Sequence, residues 1–172
     1  LWLDDGLEAV ATRILQPLPA GPWLALGPSA KWPPKTWPPE RFIEMVEAVR
    51  DLFAGVVILG GPGDTESALR VATGIRLPCV NLAGRTSLLE DCAVLSGCAA
   101  FVGNDSGAGH MAAALETATL TVFGPTDPLC FHPWGPRAAW VTAPGGELAA
   151  LTGGAVAERL REQFFRPGGA LG

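Results

Sequence analysis

Ala99-Ala100-Phe101-Val102 runs through Gly103-Asn104-Asp105-Ser106-Gly107-Ala108-Gly109-His110 into Met111-Ala112-Ala113-Ala114-Leu115. The apolar run predicts a strand over 99–102, and Gly107–Leu115 predicts a helix. Between them lies a short turn of glycines and small polar residues. A strand, a glycine-rich turn and a helix in this order make one unit of an α/β domain.

The same unit recurs on both sides of this stretch. Trp23–Leu26, Gly55–Leu59, Cys79–Leu82, Leu120–Phe123 and Ala139–Val141 read as further strands, with Asn81 interrupting the third. Pro38 and Pro39 open a helix whose apolar face is Phe42, Met45, Val46 and Val49, since proline suits the first helical turn. Thr65–Thr73 reads as a helix, and Ser87 with Glu90 forms a capping box for another that reaches about Ser96. Val156–Phe165 closes the series. Most of the strands are apolar on both faces, which indicates a parallel sheet covered by helices on each side. Ahead of it, Leu7, Val10, Ala11, Ile14 and Leu15 have helical spacing, and Pro17 to Pro22 reads as a linker. The expected organisation is therefore 1–22 as an inter-domain helix and linker, and 23–172 as one Rossmann-like domain.

Composition narrows the function. The 172 residues suit one domain, and 48% hydrophobic against 17% charged residues excludes wholesale disorder. A net charge of -5 argues against a nucleic-acid partner. No apolar run approaches the length of a spanning helix, and the acidic N-terminal stretch is unlike a leader. The four cysteines form no Cys-x-x-Cys and only two histidines accompany them, so a metal site is poorly supported. Reduced, mostly buried thiols in a cytoplasmic protein fit better.

Ligands of parallel sheets bind at the carboxyl ends of the strands, and four clusters lie there. Gly27-Pro28-Ser29-Ala30-Lys31, leading to Lys35, is either a phosphate cradle or a proline-shaped surface loop. Gly60-Gly61-Pro62-Gly63-Asp64-Thr65-Glu66 offers a carboxylate to ribose hydroxyls or is an ordinary turn with Asp64 as N-cap; it is no P-loop. In the 103–110 turn, Ser106 and the N–H groups that follow suit a diphosphate. Asp105 would repel that anion, so it caps the helix or takes a sugar hydroxyl. Gly-x-Ser-x-Gly is not matched around Ser106, which excludes the nucleophile elbow. Phe123-Gly124-Pro125-Thr126-Asp127-Pro128 is a rigid turn on the same edge, with Asp127 as a cap. Trp32, Trp37 and Trp134, in or beside these loops, either wall a pocket or pack.

Taken in order, these motifs resemble a known family. Lys35-x-Trp37-Pro38-x-Glu40-Arg41-Phe42 comes first, then Leu59-Gly60-Gly61-Pro62-Gly63 and Asn81-Leu82-Ala83-Gly84-Arg85-Thr86-Ser87-Leu88. Gly103-Asn104-Asp105-Ser106-Gly107 with His110, and Phe123 to Pro128, complete the set. The series is similar to the C-terminal half of the lipopolysaccharide heptosyltransferases, glycosyltransferase family 9, over roughly residues 23 to 141.

The resemblance implies a GT-B enzyme of two Rossmann-like domains, of which this one holds the donor, ADP-heptose. Carried over by position, Lys35 neutralises the diphosphate and Ser29 lies in the turn before it. Asp64, or Glu66 if the loop is shifted, addresses the ribose, and Thr86 lies by the adenine. Ser106 and Gly107 sit at the diphosphate, with Asp105 and His110 near the transferred sugar. Ala108-Gly109 stands where the family usually carries a bulkier residue or proline. Lys35 and His110 are the catalytic candidates of this half. The implied reaction is inverting transfer of heptose to the lipopolysaccharide inner core, with the base and the acceptor on an N-terminal domain absent from this chain. No cofactor or metal beyond the nucleotide sugar is implied. The implied location is cytoplasmic, with peripheral contact at the inner membrane. The alternatives are a GT-B enzyme acting on another nucleotide sugar, such as an epimerase, and a non-catalytic nucleotide-binding module.

Overall fold

The structure is a computed structural model that describes residues 5–165. Residues 1–4 and 166–172, which the sequence reading assigns to the linker unit and to the domain, lie outside the described residues. Six strands, β1 (Trp23–Gly27), β2 (Gly55–Ile58), β3 (Cys79–Asn81), β4 (Ala100–Asn104), β5 (Ala118–Phe123) and β6 (Ala138–Thr142), form one sheet. Every pairing is parallel and the order is β3-β2-β1-β4-β5-β6. The helices are α1 (Asp5–Leu15), α2 (Pro39–Ala48), α3 (Thr65–Gly74), α4 (Leu88–Ser96), α5 (Gly107–Ala114), the short α6 (Pro128–Phe131) and α7 (Gly153–Phe164).

Period-two alternation divides the strands between two cores. Leu24, Leu26, Val56, Ile58, Val102 and Leu120 point toward α2, α3 and α7, where Phe42, Met45, Val71 and Leu160 meet them. Ala25, Val57, Leu59 and Phe101 point the other way, toward Ala11 and Leu15 of α1, Ala93–Leu95 of α4, and Ala112 of α5. Burial on both faces explains why β1 and β2 carry no polar residues. α1 and Leu18 are thus packed onto the domain, with α1 lying along α4.

Local chemistry sets the ends of the elements. Pro39 opens α2 with Pro38 at the N-cap. The capping box of α4 forms as read: Ser87 N–H donates to Glu90 Oε2 at 2.7 Å, and Glu90 N–H to Ser87 Oγ at 3.4 Å. β3 stops at Asn81 because its Oδ1 accepts from Ala83 N–H at 3.1 Å, turning the chain out of the ladder. β5 begins earlier than its sequence suggests, since Ala118 and Thr119 are also buried in the sheet. All four cysteines are free: Cys92 and Cys98 are buried, Cys79 is half-buried, and Cys130 is exposed. Burial pushes the Cys98 thiol up to about 12 and Cys79 to about 11, which keeps both protonated at neutral pH.

The feature that matters for the site is the reversal of winding between β1 and β4. The chain leaves β1 for α2 on one face of the sheet and leaves β4 for α5 on the other. A crevice opens where those two connections part.

Candidate donor-binding site

That crevice is a cavity of about 510 Å³. The turn after β1 contributes Ser29 and Lys31, the turn after β2 Gly60, Gly61 and Asp64, the start of α4 Thr86 and Asp91, and the start of α5 Ser106 and Gly107. Phe101 is wholly buried beneath the strand ends Gly27 and Gly103. A Cβ on Gly103 would stand 2.5 Å from the Phe101 ring, and one on Gly27 would stand 2.9 Å from it, so both strand ends need glycine to close over this ring. Gly84 has φ +72°, and a Cβ on it would stand 3.2 Å from the Pro62 backbone, so glycine lets the third loop lie against the second.

The start of α5 faces this cavity without a side-chain cap. Ser106 occupies the N-cap with extended backbone, and its hydroxyl makes no cap bond. A Cβ on Gly107 would meet nothing within 4 Å. Open helix N-termini carry unsatisfied N–H groups and the positive end of the dipole, so this one favours an anion. Ser29 Oγ is buried and has no partner, although hydroxyls in such positions are normally paired. Lys31 adds a positive charge at the same cavity. Asp64 Oδ2 accepts from Gly61 N–H at 2.7 Å, pinning the glycine turn.

A second cluster lies beside the cavity, along β4 and β5. Lys35 Nζ stands 2.6 Å from Asp105 Oδ2, and Thr126 Oγ1 donates to that same oxygen at 2.9 Å. Asp105 is 8% exposed. The ammonium of Lys35 also sits over the Phe131 ring, 5.3 Å from its centroid. Asn104, wholly buried, accepts from Trp37 N–H at 2.9 Å through Oδ1, while its Nδ2 has no partner.

Five residues singled out in the sequence therefore share one cavity: Ser29, Asp64, Thr86, Ser106 and Gly107. Lys35 and Asp105 pair in the second cluster instead. Asp105 does not cap α5, because its carboxylate is taken by Lys35 and Thr126. Glu66 and His110 are exposed in the first turns of α3 and α5 and line neither group. Asp127 caps α6, accepting from Leu129 N–H at 2.9 Å. Trp37 packs wholly buried, whereas Trp32 and Trp134 are exposed.

Sequence reasoning passed over Asp91 and Thr126. The signal for Asp91 was present: the second carboxylate of the pair Glu90-Asp91, directly before the apolar run Cys92–Leu95 and buried with it. Burial holds its carboxyl above the ordinary aspartate range. The Thr86 hydroxyl bond opposes that rise, and the charge of Glu90 adds to it.

A doubly wound parallel sheet with an anion-ready crevice at its switch point defines a Rossmann-like α/β domain. The family model described as glycosyltransferase family 9 (heptosyltransferase) matches residues 7–155, and the chain belongs to that family. It is 33% identical to lipopolysaccharide heptosyltransferase 1 of Escherichia coli O18:K1:H7 (strain RS218 / NMEC), over 92% of this chain and 49% of that protein. The structure of E. coli ADP-heptose LPS heptosyltransferase II matches with a TM-score of 0.83 and 27% identity, over 94% of this chain and 52% of the other. E. coli heptosyltransferase WaaC with ADP matches with a TM-score of 0.75 and 31% identity, over 90% of this chain and 48% of the other. The same enzyme with ADP-2-deoxy-2-fluoro heptose matches with a TM-score of 0.71, at the same identity and coverage. The chain thus spans about half the length of the curated relatives it matches.

Proposed function

We propose that this chain is the donor-binding unit of an inverting heptosyltransferase and holds ADP-heptose for transfer to the lipopolysaccharide inner core. The observation that carries this reading is the uncapped start of α5 facing the same cavity as the unpartnered Ser29 hydroxyl and Lys31. Diphosphate oxygens there would accept from the N–H groups of α5 and from Ser29, with Lys31 as counter-charge. Asp64 stands where ribose hydroxyls would donate to it, and Thr86 lies with the base.

The transferred sugar extends on this reading toward the Lys35–Asp105–Thr126 cluster. Transfer leaves negative charge on the departing diphosphate, which fixed N–H groups and lysines stabilise without a metal. Lys35 and the α5 start supply that stabilisation. His110, exposed one turn into α5, stands on the side where the sugar would face an incoming acceptor. Deprotonating the acceptor hydroxyl needs a general base, which in a two-domain GT-B arrangement comes from the facing domain together with the acceptor. The organisation proposed is 1–22 as connection and 23–172 as donor domain, working on the cytoplasmic side of the membrane. No described helix is long and apolar enough to cross a membrane.

Calorimetric titration with ADP, ADP-heptose and UDP tests the reading. The expected order is ADP-heptose at least as tight as ADP, and both tighter than UDP. Preference for UDP rules out an ADP-sugar donor, and no nucleotide binding at all leaves a non-catalytic module.

A further inference from the structure

The cavity contains one titratable group that neither the motifs nor the diphosphate needs. Asp91, in the first turn of α4, is 9% exposed, and its neighbours along the cavity include Leu59, Leu88 and Met111. Thr86 Oγ1 donates to Asp91 Oδ1 at 2.6 Å. A threonine hydroxyl has one proton; the Leu82 carbonyl is a more distant acceptor at 3.4 Å, so the shorter bond takes it and orients the carboxyl. A carboxyl group accepts at both oxygens. The second oxygen is left for a donor from the cavity, and a buried carboxylate with too few donors is costly.

The surroundings select the kind of donor. The anion-favouring groups come from the β1 turn and the α5 start, whereas Asp91 belongs to the apolar stretch of the wall. Its own negative charge keeps phosphate away. Met111 is steadied there by Cys92 Sγ, 3.5 Å from its sulfur. An apolar wall with one oriented acceptor suits the edge of a flat, neutral ring.

We infer that Asp91 accepts a hydrogen bond from the exocyclic amino group of the donor's nucleobase and so makes the cavity select an amino-bearing base over an oxo base. This rests on the nucleotide-binding reading above. An adenine 6-amino group projects beyond the ring acceptors N1 and N7 that flank it, so it offers a proton to Asp91 Oδ2 with those nitrogens set back. Uracil has a single ring N–H between two carbonyl oxygens, and those oxygens would face the carboxylate. Thr86 acts here as a positioning residue: it holds the acceptor and does not itself read the base.

The test is calorimetry on the full 172-residue chain with ADP and with purine riboside 5′-diphosphate, which lacks only the 6-amino group. The parent chain is expected to bind the analogue about 10- to 100-fold more weakly, the range for one hydrogen bond to a charged group. Asp91→Ala is expected to bind the two alike. Asp91→Asn keeps the shape and presents an amide N–H to the base, so it shifts preference toward inosine 5′-diphosphate; it serves as the test if the alanine variant does not fold. Equal binding of ADP and the analogue by the parent overturns this assignment alone. The same holds if cooperatively melting variants keep the parent's preference. If the parent binds neither nucleotide, the donor-binding reading falls and the assignment falls with it.

Discussion

Two cavities of nearly equal size lie at opposite ends of the sheet, and only one has the chemistry of a site. The cavity at the amino ends of the strands, about 540 Å³, lies between α1, the segment after it and the end of α4, with Leu15, Leu18 and Trp23 in its wall. Helices arrive there with their carboxyl ends, where the dipole is negative. Three of its polar side chains are spent locally. Trp23 Nε1 donates to the Pro19 carbonyl, Ser96 Oγ to Ala93 and Thr12 Oγ1 to Glu8. At the carboxyl ends, in about 510 Å³, helices begin, Ser29 has no partner and α5 has no side-chain cap. Volume is common to both. Unsatisfied donors and the direction of the helices separate them.

The sharpest way to break this contrast is at the ring packed beneath the Gly27 and Gly103 strand ends. Phe101→Ala should cost about 3–5 kcal/mol by urea unfolding, the usual range for a wholly buried phenylalanine. Nucleotide affinity should fall with it, because the Gly27 and Gly103 strand ends lose the ring they close over. A folded Phe101→Ala variant with parental ADP affinity would show that this ring does not organise the site.

Next in size is a paired comparison of the two ends. Leu18→Ala, in the amino-end wall, should lose about 2–3 kcal/mol of stability and leave ADP affinity unchanged. Lys31→Ala should do the reverse. Its stability stays within about 0.5 kcal/mol, as for most surface changes, and ADP binds about 3- to 10-fold more weakly, as for loss of one charge-assisted contact. The Lys31 effect should shrink in high salt, because the contact is near the surface. Melting curves and calorimetry decide; an ADP response at Leu18 and none at Lys31 would invert the contrast.

The smallest effect concerns Asp91 in the nucleotide-free chain. Its carboxyl is raised above its unfolded value, chiefly by burial. Folding therefore gains from this group below the ordinary aspartate range and loses that gain as pH rises through the raised value. Asp91→Asn removes the dependence. The variant should melt with the parent at low pH and at a higher temperature than the parent at neutral pH. A parent that stays at least as stable as the variant at neutral pH would mean that the cavity already accommodates the charge.

How much was legible in the sequence depended on whether the determinant was local. The α4 capping box and the proline start of α2 could be read because each is decided within one turn of chain. The five cavity residues Ser29, Asp64, Thr86, Ser106 and Gly107 lie at strand ends that a parallel sheet must gather, so their motifs and order pointed to them. Asp105 does not form the helix cap that its position offered, and its bonds to Lys35 and Thr126 could not be read because those partners are 70 and 21 residues away in the chain. Asp91 was passed over for another reason: its partner Thr86 is only five residues away, but its burial and its place at the cavity depend on how α4 packs.

The sequence by itself determined the alternation of strands and helices, the burial of both sheet faces and the family, since each depends on periodicity and motif order along the chain. The tertiary structure alone decided which charges are matched and which polar groups are left open. Lys35 is committed to Asp105, Lys31 stands at the cavity, Ser29 waits for a partner, and one of two similar cavities faces the open start of a helix. Pairing and burial are set by distances across the fold, and spacing along the chain does not encode them.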